Sequence, residues 1–105
     1  MSDKPLSEQY RLVAKEWVDA HSAASLMEET KSHTVAYRMS LLGTDVPIGR
    51  REMEVKASLE YRDYVREMVA LRKQADLLKV KMEWVRMRFQ EWNSAEASKR
   101  AEMKL

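Results

Sequence analysis

The most constraining feature of the sequence is a heptad pattern of apolar residues. Between Ala57 and Trp92 these residues recur in alternating steps of four and three, as in the seam of a coiled coil. The pattern lasts about five heptads, longer than the three or four that distinguish such a seam from chance. Its members are Ala57, Tyr61, Tyr64, Met68, Leu71, Ala75, Leu78, Met82, Val85, Phe89 and Trp92. We therefore predict one long helix that packs along a partner.

The composition predicts a single domain, 1–105, with very few turns. The 105 residues include only Gly 2 and Pro 2, so few and long helices are expected. There is no cysteine, which excludes disulfides, thiolate metal sites and a thiol nucleophile. The predicted fold class is all-α, an antiparallel helical hairpin with one very long C-terminal helix, coiled-coil-like packing and association into an oligomeric bundle.

One convincing break lies between Gly43 and Gly49. Gly43 suits the left-handed position that ends a helix, and Pro47 cannot continue the preceding one. We predict helix one over about 7–42, with Ser7 as its N-cap, a loop at 43–49, and helix two over about 50–103. Asp45 is an alternative cap for an earlier start of helix two.

The apolar stripe of helix one weakens between Glu28 and Thr34. Either the helix continues there with a solvated face, or it breaks and restarts with Ser32 or Thr34 as a cap. We favour continuity because no glycine or proline intervenes.

The short loop predicts that the two helices run antiparallel. Facing positions then sum to roughly 92, which sets Asp19 near Arg72 and Lys73 and sets Glu8 near Arg86. Helix two, about 80 Å long at 1.5 Å per residue, exceeds helix one at about 54 Å. We expect the segment from about Arg86 to Leu105 to project past helix one and to carry Phe89 and Trp92 with it.

A second apolar stripe follows another face of helix two. A helix that is apolar on two faces is normally buried on both. Three interpretations stay open: the second half of helix one folds over this face, the face mediates self-association, or it binds a different protein. The oligomer or partner interface is predicted at Val69, Leu77, Val80, Trp84 and Met87.

The C-terminal part of helix two is basic and carries aromatic residues. Residues 1–71 hold ten basic and twelve acidic residues, a net charge of −2, whereas 72–105 hold nine and five, a net charge of +4. Cations that meet phosphates and rings that stack on unpaired bases are typical of single-stranded DNA binding. The alternative is that the rings end the hydrophobic seam and the charges solvate it. The predicted nucleic-acid or partner site is Arg86, Arg88, Phe89, Trp92, Lys99 and Arg100.

The same part of the chain resembles a group of small bacteriophage proteins. The runs Lys79–Trp84, Arg88–Trp92 and Ala97–Met103 are similar to the C-terminal part of small helical proteins encoded in phage early regions, commonly near recombination or single-strand-binding genes. The resemblance covers about the last quarter of the chain. It implies an accessory role in phage DNA metabolism or host takeover and supplies no catalytic residues.

Enzymatic chemistry has little support in the sequence. Glu29 and His33 share a helix face, but two potential ligands without a third favour a solvated face over a metal site. No phosphate-binding glycine loop or nucleophile elbow occurs. We expect no catalytic residues, no metal and no cofactor. The acidic start of the chain and the lack of a long apolar run predict no membrane partner and a cytoplasmic protein, in the host cytoplasm if phage-encoded.

Two functions follow as hypotheses. The first is a non-enzymatic helical protein that self-associates through helix two and engages single-stranded DNA or a DNA-processing protein. The alternative is a phage-encoded inhibitor or modulator that binds a host enzyme and has no nucleic-acid affinity.

Overall fold

The computed structural model describes residues 4–104, which form three α-helices. They are α1 (Leu6–Ser40), α2 (Ile48–Lys56) and α3 (Leu59–Met103). The molecule is elongated, with extents of 85 × 22 × 16 Å. An all-α fold with a very long C-terminal helix is therefore confirmed.

Helix α1 begins at Leu6 and not at a serine cap. Pro5 occupies the N-cap position, where its φ of −54° suits a helix start, and no side chain caps the helix. Ser7, the predicted cap, lies inside the first turn. The Gln9 side-chain amide donates to the Lys4 carbonyl at 2.7 Å and anchors the residues that lead into α1.

Helix α1 crosses the weakly apolar segment between Glu28 and Thr34 without a break. A polar contact with α3 lies at this point. The Tyr64 hydroxyl donates to the Met27 carbonyl at 2.6 Å and lies 3.3 Å from the Thr30 hydroxyl. The helix pair therefore stays joined where the apolar stripe of α1 is weakest.

The turn between α1 and α2 spans residues 41–47. Gly43 has φ +89°, the left-handed conformation predicted for it, and a Cβ there would lie 2.9 Å from Asp45 Oδ1. Asp45 does not cap the next helix, because Pro47 holds that position and makes no side-chain cap bond. Helix two thus starts at Ile48, slightly before the predicted residue 50.

Helix two is not continuous, contrary to the prediction of one helix over 50–103. It breaks at Ala57 and Ser58, where Ser58 adopts an extended conformation with ψ 154°. The Ser58 hydroxyl accepts a hydrogen bond from the Tyr61 backbone amide at 3.1 Å and donates to the Val55 carbonyl at 2.6 Å. One side chain thereby satisfies groups at the end of α2 and the start of α3, so the break needs no glycine or proline.

The core lies along the line where α1 packs on α3, and α2 packs mainly against the end of α1. Heptad positions from Tyr61 to Val85 are buried or half-buried, whereas Ala57 is exposed at the break. Ala24 and Ala75 are completely buried, one on each helix. Alanine at a buried helix position permits a close approach of a neighbouring helix, and the other buried residues are valines. The buried apolar residues are Val13, Ala24, Val55, Ala75 and Val85.

The predicted antiparallel register is approximately right: Tyr64 bonds to Met27, and Arg86 lies beside the first turns of α1, near the position predicted opposite Glu8. Arg72 bonds to Glu28 and not to Asp19, which shares a groove with Gln74 and Lys81 instead. The predicted contact between Asp19 and Arg72 is therefore wrong, although the two helices pair close to the predicted register.

Candidate interaction surfaces of α3

The second apolar stripe lies on the outside of the hairpin. We call Val69, Leu77, Val80, Trp84 and Met87 the outer stripe. Each of these side chains is between 53 and 64% exposed. At 100° per residue they face away from the seam that packs on α1. The interpretation in which helix one folds over this face is therefore wrong, because α1 is unbroken and lies on the opposite side.

An open groove follows the first half of the outer stripe. Val69, Leu77 and Val80 line it together with the charged residues Lys73 and Asp76. Near the other end, the Arg88 guanidinium lies 5.1 Å from the centre of the Trp84 ring, in a cation–π contact. Tryptophan, methionine and arginine, all present at this end of the outer stripe, are enriched at protein interfaces.

A polar cluster around Arg72 joins α1 to α3 beside this groove. The Arg72 guanidinium donates to both Glu28 oxygens, at 2.9 and 2.6 Å. It also donates to the Ser25 hydroxyl at 3.2 Å and lies 3.0 Å from His21 Nδ1. These contacts come from positions 44 to 51 residues away, so local sequence patterns give no signal for them.

The ion pair between Arg72 and Glu28 shifts the pKa values of both residues in the direction that favours their charged forms. The hydrogen bond from Arg72 holds the pKa of the Glu28 carboxyl below its ordinary value, and the positive charge of Arg72 acts in the same sense. Partial desolvation opposes this shift. The pKa of Arg72 is raised, chiefly by the same hydrogen bond.

The aromatic pair of the predicted C-terminal site does not project freely. Phe89 and Trp92 stack with ring centres 6.3 Å apart, and they line a pocket with Lys4, Pro5 and the first turn of α1. Phe89 remains 38% exposed and Trp92 54% exposed. Both residues cover the start of α1, so the projection of α3 begins after Trp92 and not at Arg86.

The four predicted cations occupy different surroundings. Arg86 lies beside the first turns of α1 with Phe89. Arg88 is held over Trp84, at the edge of the outer stripe. Lys99 lies 3.9 Å from Glu96, and its side chain is largely exposed, as is Arg100. The structure thus spreads them along about 21 Å of α3.

The described residues, 4–104, contain no group of three or more histidine, cysteine or acidic side chains that could hold a metal ion. Glu29 and His33 are both exposed on α1. In the same range, none of the helices combines the length and apolar character required to cross a bilayer.

Comparisons with protein-family models, with curated proteins and with solved structures found no match to this chain.

Proposed function

We propose that this chain is a non-enzymatic helical interaction protein that self-associates through the outer stripe and engages single-stranded DNA through the C-terminal part of α3. The observation that carries the proposal is the outer stripe itself. Five large apolar side chains lie half-exposed on one face of a helix whose opposite face is already buried against α1. A contiguous apolar surface of this kind marks an interaction site.

The proposed DNA surface is the end of α3 from Arg86 to Arg100. It combines a stacked, partly exposed aromatic pair with cations that are open to solvent. Phosphates would meet Arg88, Lys99 and Arg100, and an unpaired base would stack on Trp92. The resemblance to phage early-region proteins supports a role as an accessory factor in phage DNA metabolism.

Charge reversal with a matched control tests the DNA surface. The quadruple variant Arg86→Glu, Arg88→Glu, Lys99→Glu and Arg100→Glu should bind a fluorescent oligothymidine far more weakly, by roughly a hundredfold or more. Binding by the unmodified protein should fall steeply with salt, by about 0.7 in the logarithmic slope for each phosphate contacted.

The control separates a local site from a general charge effect. Lys99→Glu with Arg100→Glu changes the net charge by the same amount as Arg62→Glu with Arg66→Glu, near the other end of α3. Only the first pair should weaken binding. Equal losses in both pairs, or retained binding in the quadruple variant, would eliminate the DNA surface.

A protein target is the second candidate, and the contact between Arg88 and Trp84 favours it. Tryptophan and arginine are both enriched in interface hot spots, and here the two lie in contact on an exposed face. In this case the protein acts as an inhibitor or modulator of a host enzyme. The chain would show no oligonucleotide affinity, and a stoichiometric complex recovered by pull-down would be lost on Trp84→Ala or Trp92→Ala.

A further inference from the structure

Four residues of the outer stripe, from Leu77 to Met87, form the middle of a second heptad pattern on α3, which Val69 does not join. Extended in both directions by the same steps of three and four, it runs Ala70, Lys73, Leu77, Val80, Trp84, Met87 and Glu91. Its interior is apolar, and a single charge stands beyond each end: Lys73 before Leu77, and Glu91 after Met87. Both charged residues are exposed.

The two charges are placed symmetrically about one point. Lys73 and Glu91 each lie nine residues from Met82, which is also the midpoint between Leu77 and Met87. If a second α3 lies antiparallel on the outer stripe with a two-fold axis at the level of Met82, Leu77 faces Met87 and Val80 faces Trp84. Each Lys73 then faces Glu91 of the other copy, so four apolar layers are closed at both ends by an ion pair.

We propose that two copies of this chain pair antiparallel through the outer stripe, with the two-fold axis at Met82 and with Lys73 of each copy against Glu91 of the other. This inference rests on the self-association in the proposed function and adds its orientation and register. The matching of opposite charges at both ends of an exposed apolar seam is what selects a second copy as the occupant of this face.

A parallel pair in the same register is disfavoured by the same residues. It would place Lys73 beside Lys73 and Glu91 beside Glu91 at seam positions, where like charges are most costly. It would also bring together residues 93–105 of the two copies, including Lys99 and Arg100, which the antiparallel pair keeps at opposite ends of the dimer.

The existing hairpin leaves room for this arrangement. Helix α1 packs on the half-buried Leu78 and Met82 and the buried Val85, and it leaves the outer stripe open. Near the axis, Lys81 of the two copies would approach on one flank, but each already shares a groove with Glu16 and Asp19 of its own α1. On the other flank, Glu83 of one copy would approach Glu83 of the other. Both carboxylates are exposed, so the repulsion between them is screened by salt in the solvent.

A charge swap tests the register. Lys73→Glu or Glu91→Lys alone should weaken dimerisation, measured by sedimentation equilibrium, by roughly tenfold or more, because each creates two like-charge contacts. The double variant Lys73→Glu with Glu91→Lys should restore the affinity to within about threefold. Singles with unchanged affinity, or a double variant without rescue, would overturn the register. Circular dichroism verifies the helical fold of each variant.

A distance measurement tests the orientation of the two copies without changing any residue of the outer stripe. The chain lacks cysteine, so Ala97→Cys provides a unique attachment site for a spin label, away from the outer stripe. The antiparallel pair places the two labels about 45 Å apart at 1.5 Å per residue, and a parallel pair places them within about 20 Å. A short distance would overturn the inference and leave self-association standing, whereas a monomer at all concentrations would remove both. Oligonucleotide binding is measured separately and bears on neither result.

Discussion

The Arg72 guanidinium of α3 donates two hydrogen bonds, at 2.9 and 2.6 Å, to the Glu28 carboxylate of α1, and the two residues are 44 positions apart in the chain. The guanidinium also contacts Ser25 and His21 on the same face of α1. A planar donor bound at several points has few alternative positions, so this cluster helps to set the register of α1 on α3.

We expect Arg72→Ala to lower the melting temperature of the protein by a few degrees, because it removes the bidentate pair and leaves Glu28 without its donor. Thermal unfolding followed by circular dichroism measures the effect. Arg66→Ala, at an exposed arginine on the same helix, is the control and should have little effect. Glu28→Gln combined with Arg72→Ala should cost less than the sum of the two single changes. Additive losses would mean that the pair makes no joint contribution.

The lowered pKa of Glu28 predicts an acid-dependent loss of stability. A carboxyl whose pKa is lower in the folded state stabilises the protein above its ordinary pKa, about 4.3, and this contribution disappears as the pH falls through the lowered value. The melting temperatures of wild type and Glu28→Gln should therefore differ above about pH 5 and converge toward about pH 2.

Other carboxyls shift in the same direction and provide an internal reference. The pKa values of Glu8 and Glu52 are lowered by hydrogen bonds from Arg11 and Lys56, and both pairs remain in Glu28→Gln. Acid should therefore still destabilise that variant, only less than it destabilises wild type. A constant difference between the two proteins across the whole range would contradict a contribution from the Glu28 titration.

Local periodicity explains why much of α3 is predictable from the sequence. The residues from Tyr61 to Val85 that follow the heptad pattern are those that face α1, and the stripe from Val69 to Met87 lies on a different face, as the second pattern predicts. Both properties depend only on the spacing of apolar residues along one helix.

Features that depend on side-chain hydrogen bonds or on distant contacts are not predictable in this way. The break at Ser58 depends on one hydroxyl, which bonds to both the Tyr61 amide and the Val55 carbonyl. The only sequence signal for it is a serine followed by an acidic residue, Glu60, in the first turn of α3. The bond between Arg72 and Glu28 joins residues 44 positions apart, and periodicity within one helix gives no signal for it. The contact of Phe89 and Trp92 with the start of α1 likewise depends on how the two helices pair.

Tyr64→Phe should reduce the free energy of unfolding by about 1 kcal/mol, because it removes a hydrogen bond to the Met27 carbonyl and leaves the ring in place. Urea denaturation measures the change. Tyr37→Phe is the matched control, since Tyr37 is 60% exposed on α1 and its loss of a hydroxyl should be nearly neutral. Equal effects of the two substitutions would show that the interhelical hydrogen bond contributes nothing specific.

Ala75→Leu should destabilise the hairpin by about 1–3 kcal/mol, because Ala75 is completely buried at the point where the chain places small side chains between α1 and α3. A larger side chain there forces the helices apart or takes a strained rotamer. Ala97→Leu introduces the same side chain at an exposed position in the projecting part of α3 and should leave the urea midpoint nearly unchanged. If Ala75→Leu stabilised the protein, the space around Ala75 would have to be larger than its complete burial implies.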